Sequence, residues 1–294
     1  MSAPSPAKVF VTCWGTRGSI STPGSATEKY GGNTPCVCVR HGPTEIILDA
    51  GTGIRPLGLD LAQRASAAGK DLDLHLLLSH THWDHIQGLP FFAPAYTSGT
   101  RLTIYGSPRK GRFLEAILRR QMDINYFPVD MNAFAAQLAI IEFSAPNIEI
   151  GTVGVDWHEQ VCHPGGSVRY RLRAAGRKIV YATDIELDMM MAGEGEYQRN
   201  LLREYREFIQ DADLLLADGQ YTAQEYPSRV GWGHSSIPAL LQVAREQKVR
   251  QVAVFHHDPQ HSDAVLDTLW ARYYAVYGSD MNVFWAREGM TVAV

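Results

Sequence analysis

A run of ligand-type side chains directly behind a short apolar segment constrains this 294-residue chain more than any other feature. The run is Ser79-His80-Thr81-His82-Trp83-Asp84-His85, and it follows the largely apolar Leu74–Leu78. It therefore lies on a loop at a strand's end, where sites are built. With 11 His in the chain, the pattern H-x-H-x-D-H arises by chance in about 10⁻³ chains of this composition. The bland alternative is a polar loop that happens to be rich in His. His80 and His82, two apart on an extended loop, can point the same way and offer imidazoles to one ion. Asp84 and His85 add a hard oxygen and a borderline nitrogen, which suit a second Zn²⁺ or Mn²⁺ beside the first. Four side chains cannot complete two sites, so further His and Asp are expected at other strand ends.

The rest of the chain can supply strands to carry them. Short β-type runs are expected at Val9–Trp14, Cys36–Arg40, Ile46–Ala50, Leu72–Ser79 and Leu102–Gly106, with helices over Arg55–Ala68 and Arg112–Met122. A strand at Ile150–Val155 and a hairpin of Val168–Ala174 with Lys178–Thr183, joined by Ala175-Gly176, come next. Helices at Tyr197–Ile209, Ile237–Gln247 and Ser262–Tyr277 then alternate with strands at Leu214–Ala217, Gln251–Phe255 and Val283–Trp285, the last in the chain. The glutamates of Glu194–Glu207 read as a solvated helix face. No repeat or linker divides the chain, so residues 1–294 read as one α+β domain, a four-layer αββα sandwich, with 1–7 disordered.

Composition excludes several classes. Hydrophobic residues make up 45% and charged residues 20%, which is a chain with a large core. A net charge of −4 offers nothing general to nucleic acid or to an anionic membrane. Cys13, Cys36, Cys38 and Cys162 are too scattered for a disulfide framework and read as reduced thiols. Met1 to Ala7 lacks a basic region, Val9–Trp14 is too short for a signal segment, and no run approaches a membrane span. A soluble, cytoplasmic protein is expected, with no membrane partner.

With His80, His82, Asp84 and His85 in place, the chain resembles the metallo-β-lactamase superfamily, whose signature is H-x-H-x-D-H, over nearly its whole length. The resemblance implies that His163 in Val161-Cys162-His163-Pro164-Gly165-Gly166 joins His80 and His82 in one site. It further implies that Asp184 bridges, and that a His behind Val252–Phe255 joins Asp84 and His85 in the other. His256 and His257 both stand there. Neighbours on an extended chain point to opposite faces, so only one should bind, and the position of Pro259 favours His256. His257 would then face the substrate or support a ligand, or be merely solvated. The implied cofactor is two divalent ions, zinc first and manganese second, and the implied reaction is hydrolysis.

Gly231-Trp232-Gly233-His234-Ser235-Ser236 resembles the G-H-S-[ST] element of the superfamily's phosphodiesterase branch, which includes the tRNA 3′-processing endonucleases. The strand Leu214–Leu216 with Ala217-Asp218 resembles the one whose carboxylate holds that His. The implied catalytic set is His234 and Asp218 with Asp84, His234 serving as proton donor to a leaving alkoxide. A helix-capping or structural His is the alternative for His234. Asp49, before Ala50-Gly51-Thr52-Gly53, either orients a ligand His or caps a turn. Asn33 in Gly31-Gly32-Asn33-Thr34 either lines the site or makes a turn. Arg17 either meets a phosphate or is solvated. Trp83, Trp232, Tyr126 and Phe127 either wall a nucleobase or pack.

Nothing clearly matches the basic, Gly-rich arm of the tRNA-processing enzymes. Arg109, Lys110, Arg112, Arg119 and Arg120 fall in a stretch, Tyr105 to Phe143, that reads as a helix and a Tyr126-Phe127-Pro128 loop. Tyr30-Gly31-Gly32-Asn33-Thr34, Asp49–Arg55, Ser79–Gly88 and Phe255–Pro259 together resemble bacterial members described as cyclic-nucleotide phosphodiesterase-like. The reading is a dinuclear phosphodiesterase whose partner is a small nucleotide-like phosphodiester, with structured RNA disfavoured and a homodimer left open. An RNA 3′-processing endonuclease and a non-catalytic metal-bound sensing module are the alternatives.

Overall fold

The computed structural model describes residues 8–107 and 113–294. The expected disorder of 1–7, and Arg109, Lys110 and Arg112 with the start of their helix, lie outside the described residues. In the first half, β1 (Phe10–Gly15), β2 (Cys36–His41) and β3 (Thr44–Leu48) form an antiparallel meander. Then β4 (Asp73–Leu77), β5 (Arg101–Gly106) and β6 (Gln137–Glu142) extend the sheet in parallel from β3. The second sheet repeats that plan. Here β7 (Asn147–Ile150), β8 (Val153–Gln160), β9 (Ser167–Ala174) and β10 (Arg177–Ala182) are antiparallel. From β10 the sheet continues in parallel through β11 (Leu214–Asp218), β12 (Gln251–Phe255) and β13 (Asn282–Trp285).

The parallel strands are buried on both faces, which is why Leu214–Asp218 carries no polar alternation. Between the sheets lies one apolar layer that includes Val11, Val39, Leu48, Tyr170, Leu172 and Phe255. A second layer packs the first sheet under α1 (Ile54–Ala68) and α3 (Leu114–Gln121), with Leu57, Leu61 and Leu118 buried. A third packs the other sheet under α5 (Glu196–Ile209), α6 (Ile237–Glu246) and α7 (Asp263–Tyr277), through Tyr205, Leu240 and Leu266. Helix, sheet, sheet, helix is the four-layer α+β sandwich expected from the sequence. Among the described residues no helix is long and apolar enough to cross a membrane.

Four local expectations need correction. Ile150–Val155 is not one strand: Gly151, with φ 55°, and Thr152 turn the chain, separating β7 from β8. Gln137–Glu142 was expected within helix and loop but forms the edge strand β6, half-buried on alternate residues. Leu187–Ala192 forms a short helix, α4, that apolar periodicity over six residues is too brief to announce. Val283–Trp285 is not the last strand. The chain returns as β14 (Thr291–Ala293) to pair with β1, Phe10 facing Ala293, a register with no local signal. The Ala175-Gly176 hairpin forms as expected, both residues having positive φ (50° and 73°), as a tight turn between twisted strands needs.

Candidate metal centre

All the parallel strands that carry candidate residues end on the same side. Asp49 follows β3, the His80–His85 run follows β4, Asp184 follows β10, Asp218 ends β11 and His256 follows β12. Side chains far apart in sequence thus meet at the carboxyl ends of two sheets. Three of these residues, Asp49, Asp184 and His256, have positive φ (62°, 58° and 60°). That conformation costs a residue bearing Cβ about 1–2 kcal/mol, although Asp and His adopt it more readily than most. Such strain collects at functional sites, where the turn is needed to aim a side chain.

The loop after β4 is only partly a loop. Trp83–Ile86 forms one helical turn, α2, which carries Asp84 and His85, while His80 and His82 precede it. Five groupings result among the described residues, two of which, His163 with Asp184 and His234 and Asp218 with His234 and His256, bring in His234, while three join the expected ligands alone. Nitrogens of His80, His82 and His163 lie within 4.8 Å of one another, as do ligand atoms of Asp84, His85 and His256, and those of His80, His85 and Asp184. Asp184 stands among both sets: its Oδ2 lies 3.2 Å from His85 Nε2, and its Oδ1 lies 3.6 to 3.8 Å from Nε2 of His256, His80 and His163. Every residue expected as a ligand is in this cluster.

Hydrogen bonds aim the rings inward. His85 Nδ1 meets Asp49 Oδ2 at 2.8 Å, His163 Nδ1 meets the Gly233 carbonyl at 2.9 Å, and His256 Nδ1 meets Gln220 Oε1 at 3.2 Å. His80 Nδ1 lies 3.1 Å from Ser79 Oγ. Each of these leaves Nε2 facing the centre. Nε2 of His80 is buried without a hydrogen-bond partner, a costly state for a polar atom unless a ligand is to meet it. Asp49 accepts from Ser79 N and Oγ and from Tyr181 Oη as well, so it ties the metal loop to β10. It does not cap α1, whose N-cap is Gly53.

Electrostatics favour a cation here. Burial lowers the His80, His82 and His163 imidazoles, His82 to about 4, so they stand neutral, the form that ligates. Burial opposes charge on His85 too, yet Asp184, Asp84 and Asp49 outweigh it and push its imidazole well up. For Asp184 burial alone would raise the carboxyl, but His256, His85 and His80 hold it well below the usual range. The negative charge that draws a proton to His85 suits a divalent ion equally. Nitrogen-rich donors with a few carboxylates match zinc, or manganese as the harder alternative.

His234 sits beside this cluster. Its ring stacks on His256 at 5.0 Å, and its Nδ1 meets Asp218 Oδ2 at 2.8 Å and lies 3.9 Å from Asp184 Oδ1. Burial lowers the His234 imidazole and pushes the Asp218 carboxyl well up. It caps no helix: Ser236, not His234, accepts from Ala239 N at the start of α6. The loop before it depends on Gly233, with φ 85°, since a Cβ there would collide with His163 Nδ1.

The adjacent-His question is decided by the backbone. Positive φ at His256 turns its ring into the cluster, whereas His257 is buried, gives Nε2 to the Ala286 carbonyl at 2.8 Å and faces neither substrate nor ligand. Arg17 is also neither a phosphate contact nor solvated. It is fully buried, donating to the carbonyls of Gly31, Asp258 and His261, and so ties the first loop to the segment behind His256. Asn33 bonds Glu288 through N and Nδ2 instead of lining the centre. Trp83 and Trp232 are 82% and 57% exposed, and the Arg229 guanidinium lies 4.6 Å over the Trp232 ring.

Two polar residues escaped the sequence reading. Glu186, buried, accepts from Gly231 N, Gly233 N and Tyr226 Oη at 2.7 to 2.9 Å and so holds the loop that carries His234. Gln220 orients His256. Their only sequence signal is nearness to Asp184 and Asp218, which does not distinguish them from surface residues.

A family model described as a β-lactamase superfamily domain matches residues 44–257. No curated protein matches the chain. Among solved structures, the metallo-β-lactamase fold protein YhfI from Bacillus subtilis is 18% identical, covering 98% of this chain and all of that one, with a TM-score of 0.68. Unliganded yeast PDE1 is 15% identical over 98% of this chain and all of its own, with a TM-score of 0.70. The short form of human tRNase Z is 17% identical over 96% and 98%, with a TM-score of 0.62. At these identities the likeness is one of fold.

Proposed function

The chain belongs to the metallo-β-lactamase superfamily, and from that membership we propose that it is a dinuclear metal-dependent phosphodiesterase acting on a small nucleotide-like phosphodiester. His80, His82 and His163 would hold one ion and Asp84, His85 and His256 the other, with Asp184 between them. When bound, such a pair supplies an acidified water as nucleophile and offsets charge on the group attacked.

The observation that carries the phosphodiesterase reading is the His234–Asp218 pair. Phosphodiester cleavage expels an alkoxide that needs a proton, a demand met by an imidazole standing beside the ligands with one nitrogen already committed. Asp218 takes Nδ1, so His234 presents Nε2 to the leaving oxygen. Held by Asp218, the ring keeps its orientation between proton transfers. Asp84, which accepts from Ser19 N at 2.8 Å, keeps its carboxylate aimed at His85 and His256. A chain with net charge −4 gains little from a polyanion as substrate, which favours a small ester over structured RNA.

The test is turnover by metal-loaded protein on a phosphodiester, a β-lactam, a thioester and a pre-tRNA. The phosphodiester should be preferred by orders of magnitude. Efficient, steeply salt-dependent pre-tRNA cleavage would instead make the chain an RNA-processing endonuclease, and no turnover with metals bound would make it a sensing module. His234→Ala should retain its metals and lose roughly 10²–10⁴ in turnover. That loss should be smaller for a nitrophenolate leaving group than for an alkoxide.

A further inference from the structure

A cavity of about 680 Å³ opens beside the metal centre, between the helical turn of the metal loop and α3. Thr81 and Trp83 line both this cavity and the smaller cleft formed by His82, Asp84, Asp184 and His234. A molecule with its phosphorus at the centre therefore has this cavity as the adjoining space. Its size is within the roughly 300–1,000 Å³ of small-molecule sites. The walls are largely aromatic: Phe91 and Phe127 meet edge to face at 5.3 Å, with Trp83 and Tyr126 alongside. Three of these rings are not consumed by packing, since Trp83, Tyr126 and Phe91 are 82%, 73% and 56% exposed, while Phe127 also packs on the core under the first sheet.

Polar groups are few, and two of them are carboxamides. Gln87, Gln121 and Arg120 stand among the lining side chains. Gln87 donates Nε2 to Thr34, which leaves its carbonyl oxygen to accept. The Gln121 amide nitrogen is buried with no partner, and rotation about its last torsion would offer it to an acceptor in the cavity. Carboxamides beside exposed rings are the groups that read the edge of a stacked heterocycle. An alkyl chain would leave those amides unsatisfied, at a cost.

We propose that this cavity seats the nucleobase of the substrate's non-leaving arm, stacked among Trp83, Phe91, Tyr126 and Phe127 and read by the two glutamine amides. The proposal rests on the phosphodiesterase reading for the chemistry at its other end but not for the binding itself. It predicts that specificity lies in the base more than in the sugar.

Two measurements on zinc-loaded protein separate the claims. The first compares kcat/KM for the methyl 5′-phosphodiester of adenosine with that for the same ester of 1-O-methyl ribose. The base should raise kcat/KM at least about tenfold. The ratio should fall toward one in Tyr126→Ala, whose ring is exposed and whose loss should not disturb folding, and in Ile117→Trp, which fills the cavity. The second is calorimetry of AMP against ribose 5-phosphate, with the same preference and the same loss in both variants. Equal kcat/KM for the two esters, or a preference that both variants keep, overturns the base assignment while leaving the phosphodiesterase reading intact. An octyl methyl phosphate preferred over the adenosine ester also overturns it, in favour of an alkyl arm. Base-dependent AMP binding that the variants abolish, without hydrolysis of either ester, upholds the cavity and refutes the phosphodiesterase reading.

Discussion

Replacing Asp49 by Asn removes one charge from the base of the metal centre and alters almost nothing else. Its positive φ of 62° is one that Asn also tolerates, so the backbone should hold. The two carboxylate oxygens are differently used: Oδ2 accepts from Ser79 Oγ, His85 Nδ1 and Tyr181 Oη, whereas Oδ1 accepts from Ser79 N. The amide oxygen should take the crowded position, leaving an NH₂ group against the Ser79 N–H. One hydrogen bond to a charged acceptor is lost, about 1.5–3 kcal/mol, and the others become neutral and weaker. His85 loses the partner that orients it and raises its basicity, and groups of this kind are worth roughly 10–100-fold in metal affinity. The expected loss is therefore about 1.4–2.8 kcal/mol of metal binding. Competition with a chromogenic chelator measures it. Asp49→Ala should bind metal more weakly still, since it removes the acceptor that meets His85 Nδ1 and Tyr181 Oη and strains Ala at positive φ. Metal affinity of Asp49→Asn equal to that of the unaltered protein would refute the argument that this carboxylate holds His85 for a metal.

Elemental analysis of chelator-free protein should find close to two transition-metal ions per chain, and Asp184→Ala, which removes the carboxylate among both ligand sets, should lower that content. His163→Ala should lose metal and activity together, unlike His234→Ala. Glu186→Gln should keep its metals but loosen the loop bearing His234, since an amide cannot accept from Gly231 N, Gly233 N and Tyr226 Oη as two carboxylate oxygens do. A drop in kcat of about tenfold and a loss of about 1–3 kcal/mol in thermal unfolding are expected. Burial pushes the thiols of Cys13 and Cys38 up to about 12. All four free cysteines are buried, so a disulfide-exchange reagent should titrate none quickly in the native protein and four after denaturation.

The ligand loop was legible because its information is local: His80, His82, Asp84 and His85 are fixed by spacing within one short run, and a strand before them is readable from apolar composition. His163, Asp184, Asp218 and His234 could be assigned only through resemblance, since nothing in their own neighbourhoods joins them to that loop. Their meeting is a matter of register. Parallel pairing of β3 with β4, and of β11 with both β10 and β12, brings the strands' carboxyl ends to one side. A one-residue slip would turn each terminal side chain to the wrong face.

Choices between near-equivalent residues were likewise left to tertiary structure. Sequence offers His256 and His257 as neighbours of the same type, and a single backbone turn at φ 60° sends one to the centre and the other to a carbonyl of the loop after β13. Arg17, as a charged loop residue, reads as solvated, yet three carbonyls from distant segments enclose it. The edge strands β6 and β14 went unread for a related reason, half-burial and long-range pairing leaving little apolar period. What the amino-acid sequence determined by itself was the chemistry available: donor types, their local spacing, and strands apolar enough to be buried on both faces. Which donors share an ion, which carboxylate steadies which ring, and which aromatic side chains remain open beside the centre were decided only by folding. Those relations are distances between segments, and no period or propensity along a chain encodes them.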